Sequence, residues 1–238
     1  RAPRDNFFHC LVNAAHQFHR RESNDDRYII AGYPWFKCRA RDTFISLPGL
    51  TLSIEEDDYF ELVMKTAMKG YYEFMEGKPV TVHIAEIDQP DVPLWAVWAL
   101  QQYAKEKGKE ACLKKYGKFI KDVVMYVKCN HHPNLKLMPN GLLYTDGKDK
   151  AVTWMNSTAN GHPVVPRTGY IVEFNALWYN ALCFCASLCE LAGKEKDQQQ
   201  FLEAAELAKQ SFLDTFLNEY GYLYDYVDGK MIDWSVRP

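Results

Sequence analysis

The sequence lacks an apolar run long enough to cross a membrane. Its longest apolar segments are interrupted by Asp, Lys or Glu before they reach the roughly 18 residues that a membrane span needs. It also lacks an excess of positive charge, since 31 acidic side chains outnumber 28 basic ones and give a formal net charge of −3. A basic surface is the electrostatic signature of nucleic-acid binding. We therefore expect neither a membrane nor a nucleic acid as a partner.

Three common catalytic motifs are also missing. The sequence contains no Gly-rich phosphate loop, no dinucleotide fingerprint and no Ser-His-Asp arrangement with motif support. Metal-ligand patterns are equally poor. The adjacent His131 and His132 have no carboxylate or thiolate at ligand spacing, and Cys183, Cys185 and Cys189 lack a CxxC pair or a nearby histidine. We expect no metal and no other cofactor.

The seven cysteines do not suggest a disulfide framework. Their number is odd, and a chain of 238 residues with 47% hydrophobic and 14% aromatic residues has ample material for a core without covalent links. Most of them fall in helical segments. Free, buried thiols in a reducing compartment are the favoured interpretation.

Apolar residues recur at intervals of three and four along much of the chain, which predicts a mostly helical protein. A length of 238 residues is long for one ordinary domain and short for two, and we expect a single domain over residues 1–238. Pro48 is expected to bend or end the second helix, and Gly221–Tyr226 alternates like a short strand. His9, His16 and His19 are interpreted as structural or surface residues of the first helix. The predicted helices are Phe7–Phe18, one starting at Asp42, Asp57–Met75, one starting near Pro93, Glu110–Lys128, Glu173–Ala192 and Phe201–Leu217.

The stretch Val152–Leu182 combines a polar loop with a strongly apolar helix. The helix must be buried, because a helix that is apolar on nearly every side has no face for water. The loop offers an aromatic ring, amides and a cation, which suit a neutral polyhydroxylated ligand. Its candidate residues are Trp154, Asn156, Asn160, Gly161 and Arg167; the apolar residues of the helix include Phe174, Leu177, Trp178 and Leu182.

Two earlier loops carry similar chemistry. Trp35 precedes the pair Arg41-Asp42 at a helix start, and Asp91 precedes a helix that contains Trp95. The Arg-Asp pair can be a local ion pair and cap, or it can hydrogen-bond sugar hydroxyls. Asp91 can equally be a helix cap, and the tryptophans can be packing residues. If consecutive helices run antiparallel, these loops and the Trp154–Arg167 loop emerge at one end of the bundle.

Three long stretches resemble the amylo-α-1,6-glucosidase family, the C-terminal domain of glycogen debranching enzymes. They are AGYPWF…RDTFISLPGL, DVPLWAVWALQQY and TWMNSTANGHPVVPRTGYIVEFNALWYNAL, and they follow the order and spacing of that family. The resemblance implies an all-α (α/α)6 toroid or barrel, similar to glucoamylases. It also implies a cytosolic, inverting, metal-free hydrolase that removes the α-1,6-linked glucose at a glycogen branch point. About seven of the twelve helices would be present, with the closing helices expected beyond Pro238 in the rest of the parent polypeptide.

The resemblance also assigns roles to individual residues. The family's general acid is the Asp of a TWMD motif, whereas this sequence reads TWMN, so Asn156 occupies the general-acid position. An amide does not titrate usefully and cannot protonate a leaving oxygen. The general base is expected beyond Pro238, so little or no hydrolysis is expected from this chain. The residues expected to bind substrate are Trp35, Arg41, Asp42, Asp91, Trp95, Trp154, Arg167 and Glu173, the last of which can also cap its helix.

Two other interpretations remain open. The chain can be a non-catalytic α-glucan-binding module built on the same barrel, with Asn156 as its native residue. It can also be another glycosidase with an α-toroid fold, although the RDTF and TWMN stretches favour the debranching family.

Overall fold

A computed structural model describes residue 3, residues 6–22 and residues 25–237. The chain divides into two compact units, residues 1–88 and 89–238. It is mostly helical with several small sheets, and none of the described helices is long and apolar enough to cross a membrane. The described residues form α1 (Phe7–Gln17), α2 (Ala40–Leu50), α3 (Asp57–Met75), α4 (Val92–Lys107), α5 (Lys109–Lys128), α6 (Val172–Leu191) and α7 (Glu195–Phe216).

The seven predicted helices are confirmed, with two differences. The seventh begins at Glu195 rather than at Phe201, because its first turn is polar and is marked by acidic residues instead of an apolar period. Pro48 does not end the second helix, which continues to Leu50. The side chains of Phe44, Leu47 and Pro48 are all buried, so packing holds this segment helical despite the missing N–H.

The first unit is built around α3. A two-stranded antiparallel hairpin, β1 (His19–Arg21) and β2 (Arg27–Ile29), lies against it. The Tyr59 hydroxyl on α3 lies within hydrogen-bonding distance of the carbonyl oxygens of Arg20 (3.0 Å) and Tyr28 (3.2 Å). One buried phenol therefore fixes both strands of the hairpin to the helix.

In the second unit, α6 is the central helix. It packs against α4, α5 and α7, and the predicted burial of Phe174, Trp178 and Leu182 is confirmed, while Leu177 is half-buried. A helix with neighbours on several sides cannot be amphipathic. This explains why the apolar residues of α6 follow no single stripe.

A five-stranded antiparallel sheet adjoins α6 in the same unit. The strand expected at Gly221–Tyr226 lies later, at Tyr226–Asp228, and Leu223 instead bridges Leu217. The pairing of Tyr226 and Val227 with Ile171 and Tyr170 of the neighbouring strand decides where this strand lies, and a short alternating pattern does not specify such a long-range partner. In sheet order the strands are β3 (Lys136–Leu137), β4 (Leu143–Thr145), β7 (Gly169–Ile171), β8 (Tyr226–Asp228) and β9 (Met231–Ile232); a separate hairpin joins β5 (Thr158–Ala159) and β6 (His162–Pro163).

Asn175 attaches the sheet to α6. Its amide oxygen accepts a hydrogen bond from the Leu143 N–H at 2.6 Å, and its amide nitrogen donates to the carbonyl oxygens of Leu143 (3.1 Å) and Ile171 (3.0 Å). The side chain is fully buried, so water cannot replace these bonds. Asn175 therefore fixes in place both ends of the polar loop that runs from β4 to α6.

We expect Asn175→Ala to lower the free energy of unfolding by about 2–4 kcal/mol, because it leaves buried backbone groups of β4 without partners. Urea unfolding of the two proteins measures this difference. Asn156→Ala, at an exposed position of the same unit, is the matched control and should change stability by less than about 0.5 kcal/mol. Equal effects of the two substitutions would contradict this role for Asn175.

His19 makes the stability of the first unit depend on pH. Its Nε2 lies 2.8 Å from the Leu50 carbonyl oxygen and its ring stacks on Tyr59 at 4.0 Å. Burial lowers the pKa of His19 below 6.5, and the hydrogen bond to Leu50 offsets this only in part. The unfolded chain then binds a proton more readily than the folded chain, so stability is lost as pH falls from about 6.5 through the folded pKa.

We expect His19→Gln to reduce the loss of stability between about pH 7.5 and about pH 5.5, a window that spans the ordinary titration of histidine. Chemical denaturation at both pH values provides the comparison. His162→Gln, at an exposed histidine, serves as the control and should leave the pH dependence unchanged. If the His19→Gln variant lost as much stability between these pH values as the wild type, groups other than His19 would account for the pH dependence.

Candidate functional site

The Arg167 guanidinium lies between two carboxylates in the second unit. Only 2% of its side chain is exposed. Its two terminal nitrogens donate to the two oxygens of Glu173, in one bond at 2.7 Å and in a second, shorter one. Its Nε and a terminal nitrogen donate to Asp225 at 3.0 and 2.7 Å. This paired, two-sided geometry is what the planar guanidinium favours.

A second arginine extends this cluster. Arg237 Nε donates to Asp225 at 2.7 Å, and its terminal nitrogen donates to Asp233 at 3.1 Å. Burial lowers the pKa of Arg167, but the hydrogen bonds and charges of Glu173 and Asp225 outweigh this effect and raise it overall. The hydrogen bond to Asp225 likewise raises the pKa of Arg237. Both guanidinium groups therefore stay charged at any physiological pH. Their ion pairs hold this part of the second unit together at all such pH values, and we call the cluster of Arg167, Glu173, Asp225 and Arg237 the electrostatic brace.

Two glycines allow the backbone to pack closely around Arg167. A Cβ on Gly147 would lie 1.9 Å from the Arg167 carbonyl oxygen. A Cβ on Gly169 would lie 2.3 Å from the Val227 carbonyl oxygen, and Gly169 also has a φ of +95°. No side chain fits at either position. The start and end of the polar loop are therefore held against the sheet.

Trp154 and Asn156 lie at the exposed part of this loop. The Asn156 N–H donates to the Trp154 carbonyl oxygen at 3.0 Å, which closes a tight turn. Half of the Trp154 side chain is exposed, and Asn156 is exposed as well. Both side chains are accessible to solvent, and their role in binding a sugar stays a prediction.

Asn160 and Gly161 have a structural role in this loop. They form the two-residue turn between β5 and β6, with φ values of +52° and +82°. An Asn-Gly turn of this kind is strongly favoured in hairpins, because both residues tolerate positive φ. Backbone geometry accounts for this dipeptide.

Asp91 and Trp95 are joined in the first turn of α4. The Trp95 Nε1–H donates to the Asp91 carboxylate at 3.2 Å. Asp91 occupies the N-cap position but its side chain makes no capping hydrogen bond, and it is buried. Trp95 is half-buried and meets Trp98 edge-on, with ring centroids 5.5 Å apart. Asp91 therefore orients an indole, which the cap interpretation did not anticipate.

The remaining predicted residues belong to the first unit. Arg41 and Asp42 lie in the first turn of α2, where Arg41 is buried and Asp42 is half-buried. Trp35 lies in a turn closed by the bridge between Gly32 and Phe36, and 79% of its side chain is exposed. The convergence of these residues with those of the second unit stays a prediction.

The histidines and cysteines take structural positions. His132 is buried and accepts a hydrogen bond from the Asn134 N–H at 3.2 Å, and His16 pairs with Glu56 at 2.9 Å. All seven cysteines have free thiols, and Cys38, Cys112 and Cys185 are buried. Among the described residues, no three His, Cys, Asp or Glu side chains come together in a way that could hold a metal ion.

Sequence reasoning missed Asp225 and Arg237. Asp225 is the one acidic residue in the aromatic segment YLYDY, and a lone charge in an otherwise apolar strand pattern signals a buried partner. Its partner, Arg167, is 58 residues away in the chain. This distance explains why Arg167 was interpreted only as a residue that contacts ligand.

The class of protein follows from comparison with known families. A family model described as amylo-α-1,6-glucosidase matches residues 12–238, which indicates a glycosidase-type domain. The chain belongs to this family and corresponds to the C-terminal domain of a glycogen debranching enzyme. A search of curated proteins found no match.

We expect Asp225→Asn to lower the free energy of unfolding by roughly 3 kcal/mol, because it removes a buried negative charge from between two arginines. Urea unfolding measures the change. Asp214→Asn, at an exposed position on α7, is the control and should be nearly neutral. Nearly equal stabilities of the two variants would show that the cluster does not brace the unit.

Proposed function

We propose that this chain is the glucose-binding part of an inverting glycoside hydrolase that acts on α-1,6 branch points of glycogen or limit dextrin. The observation that supports this most strongly is the family match over residues 12–238. We further propose that α1–α7 form part of an (α/α)6 toroid and that the protein works in the cytosol. In this arrangement the loops before α2, α4 and α6 face one substrate.

Substrate recognition is proposed to use exposed rings held on rigid supports. Trp35 and Trp154 present large apolar surfaces to solvent, and a pyranose ring can stack on such a surface. Asp42 is half-buried and can accept hydrogen bonds from sugar hydroxyls. Arg41 and Asp91 are buried, so they act mainly by orienting their neighbours.

Arg167 is proposed to hold the Glu173 carboxylate in position at the substrate site. Both oxygens of Glu173 accept hydrogen bonds from Arg167, which leaves the carboxylate 25% exposed. A carboxylate held in this way is an acceptor for a sugar hydroxyl. Glu173 is therefore assigned to substrate binding.

Hydrolysis with inversion requires one carboxylic acid to protonate the leaving oxygen and one carboxylate to activate water, at a separation of roughly 6.5–9.5 Å. At the acid position this chain has Asn156, whose amide donates hydrogen bonds but does not release a proton. We infer that the chain binds the glucan but performs little or no hydrolysis.

A second candidate function is a non-catalytic α-glucan-binding module. It is supported by the same residue, because an exposed amide beside Trp154 retains hydrogen bonding to a sugar without acid catalysis. In this case Asn156 is the native residue of a domain that holds the glucan for another active site.

Glucose release from a branched limit dextrin by the full-length protein and its Asn156→Asp variant separates the two candidates. A restored general acid should raise the rate by about 10²–10⁴-fold. Asn160→Asp, in the hairpin turn of the same loop, is the matched control and should release no glucose. Binding of a maltooligosaccharide is measured in parallel by calorimetry.

Glucose release by the Asn156→Asp variant alone would identify a debranching glucosidase whose acid is missing. No release by either protein, with maltooligosaccharide binding by both, would favour the binding module. Release by the unsubstituted protein would show that another group supplies the proton. Absence of both binding and release would contradict the proposed function.

A further inference from the structure

The first unit contains a cleft that the proposed function does not use. Its volume is about 480 Å³, and its lining includes Arg20 from β1, Lys37 and Cys38 from the segment before α2, and His83 from the segment before α4. Three separate parts of the chain thus contribute a cationic or protonatable side chain to one concave surface. Val82 and Ile84 also line the cleft and are largely buried.

The walls of the cleft are fixed by backbone hydrogen bonds. The Ala85 N–H donates to the Cys38 carbonyl oxygen at 2.9 Å, and the Ala85 carbonyl oxygen accepts from the Ala40 N–H at 3.0 Å. The His83 N–H donates to the hydroxyl of Tyr28, which is buried, at 3.2 Å. The cationic side chains therefore project from supports that are already ordered before any ligand binds.

The charge of the cleft is positive. Glu22 accepts a hydrogen bond from the Arg20 guanidinium at 2.8 Å and lies 3.0 Å from His83 Nδ1, and the hydrogen bond to His83 lowers the pKa of this carboxyl. One carboxylate is thus shared between two neighbours. Lys37 is exposed and forms no ion pair with any residue that the structure describes. Among Arg20, Lys37 and Glu22, the two fixed cations exceed the one carboxylate by a single charge.

These features favour a compact anion. Only one nitrogen of Arg20 is used by Glu22, and a guanidinium, an ammonium and an imidazole together are the donors that recognise phosphate oxygens. The volume exceeds what a single phosphate group needs, which leaves space for a small sugar attached to it. A nucleic acid fits poorly, because the chain has a net charge of −3 and no overall basic excess.

We propose that the cleft lined by Arg20, Lys37 and His83 binds a phosphate group, either as the free ion or as the monoester of a small sugar. The site lies in the first unit and does not involve Trp154 or Asn156. It thus gives the domain a second ligand of different charge from a neutral glucan, and its occupancy does not depend on hydrolysis.

Isothermal titration calorimetry on the full-length protein tests this assignment, with inorganic phosphate, glucose 6-phosphate and glucose as separate titrants at low ionic strength. Phosphate and glucose 6-phosphate should bind and glucose should not. Lys37→Glu should weaken binding by at least about tenfold, since it replaces an attractive charge by a repulsive one. Lys65→Glu, an exposed lysine on α3 in the same unit, is the matched control and should stay within about twofold of wild type.

Tighter binding of glucose 6-phosphate than of phosphate would assign the cleft to a sugar monoester, and equal binding would assign it to the free ion. Absence of binding for both titrants would overturn the proposal. So would equal losses in Lys37→Glu and Lys65→Glu, which would indicate a diffuse charge effect. The Asn156→Asp variant should bind phosphate as wild type does, so a failure of the glucan proposal leaves this result interpretable.

Discussion

The buried Arg167 guanidinium is the interaction on which the second unit depends. Burying a guanidinium costs several kcal/mol unless carboxylates surround it, and here Glu173 and Asp225 occupy both of its hydrogen-bonding edges. Asp225 precedes β8 and Glu173 lies in the first turn of α6, so the Arg167 side chain connects the sheet, the loop and the central helix. Removing Arg167 would take the guanidinium partner from Glu173, and removing either carboxylate would leave one hydrogen-bonding edge of the buried guanidinium without its acceptor.

The residues that stabilise this loop are different from the residues proposed to contact the ligand. The residues that hold the loop, such as Asn175, Gly147 and Arg167, are buried or closely packed, whereas Trp154 and Asn156 face solvent. An exposed ligand-binding residue on a rigid support loses little conformational entropy when a ligand binds. A substitution at position 156 can therefore change the side chain that faces solvent while the backbone of the loop keeps its conformation.

Under the proposed function, the residue at position 156 decides whether the loop can catalyse hydrolysis or only bind the glucan. An Asp and an Asn have nearly the same size and the same place in the turn, but only the carboxyl group can transfer a proton at useful rates. The phosphate-binding cleft in the first unit depends on a different property of its side chains, their charge. There the fixed charges of Arg20 and Lys37 determine the class of ligand.

The sequence by itself determined the helices and the family. Seven periodic segments predicted seven helices, and three ordered motifs placed the chain among amylo-α-1,6-glucosidases, because apolar periodicity and motif spacing are local properties of the chain. Only the tertiary structure revealed that Arg167 pairs with Asp225, that Asp91 holds Trp95 instead of capping α4, and that the strand after YLYD lies at Tyr226–Asp228. Buried ion pairs and strand register depend on residues far apart in the chain. No local pattern specifies which distant partner satisfies a buried charge.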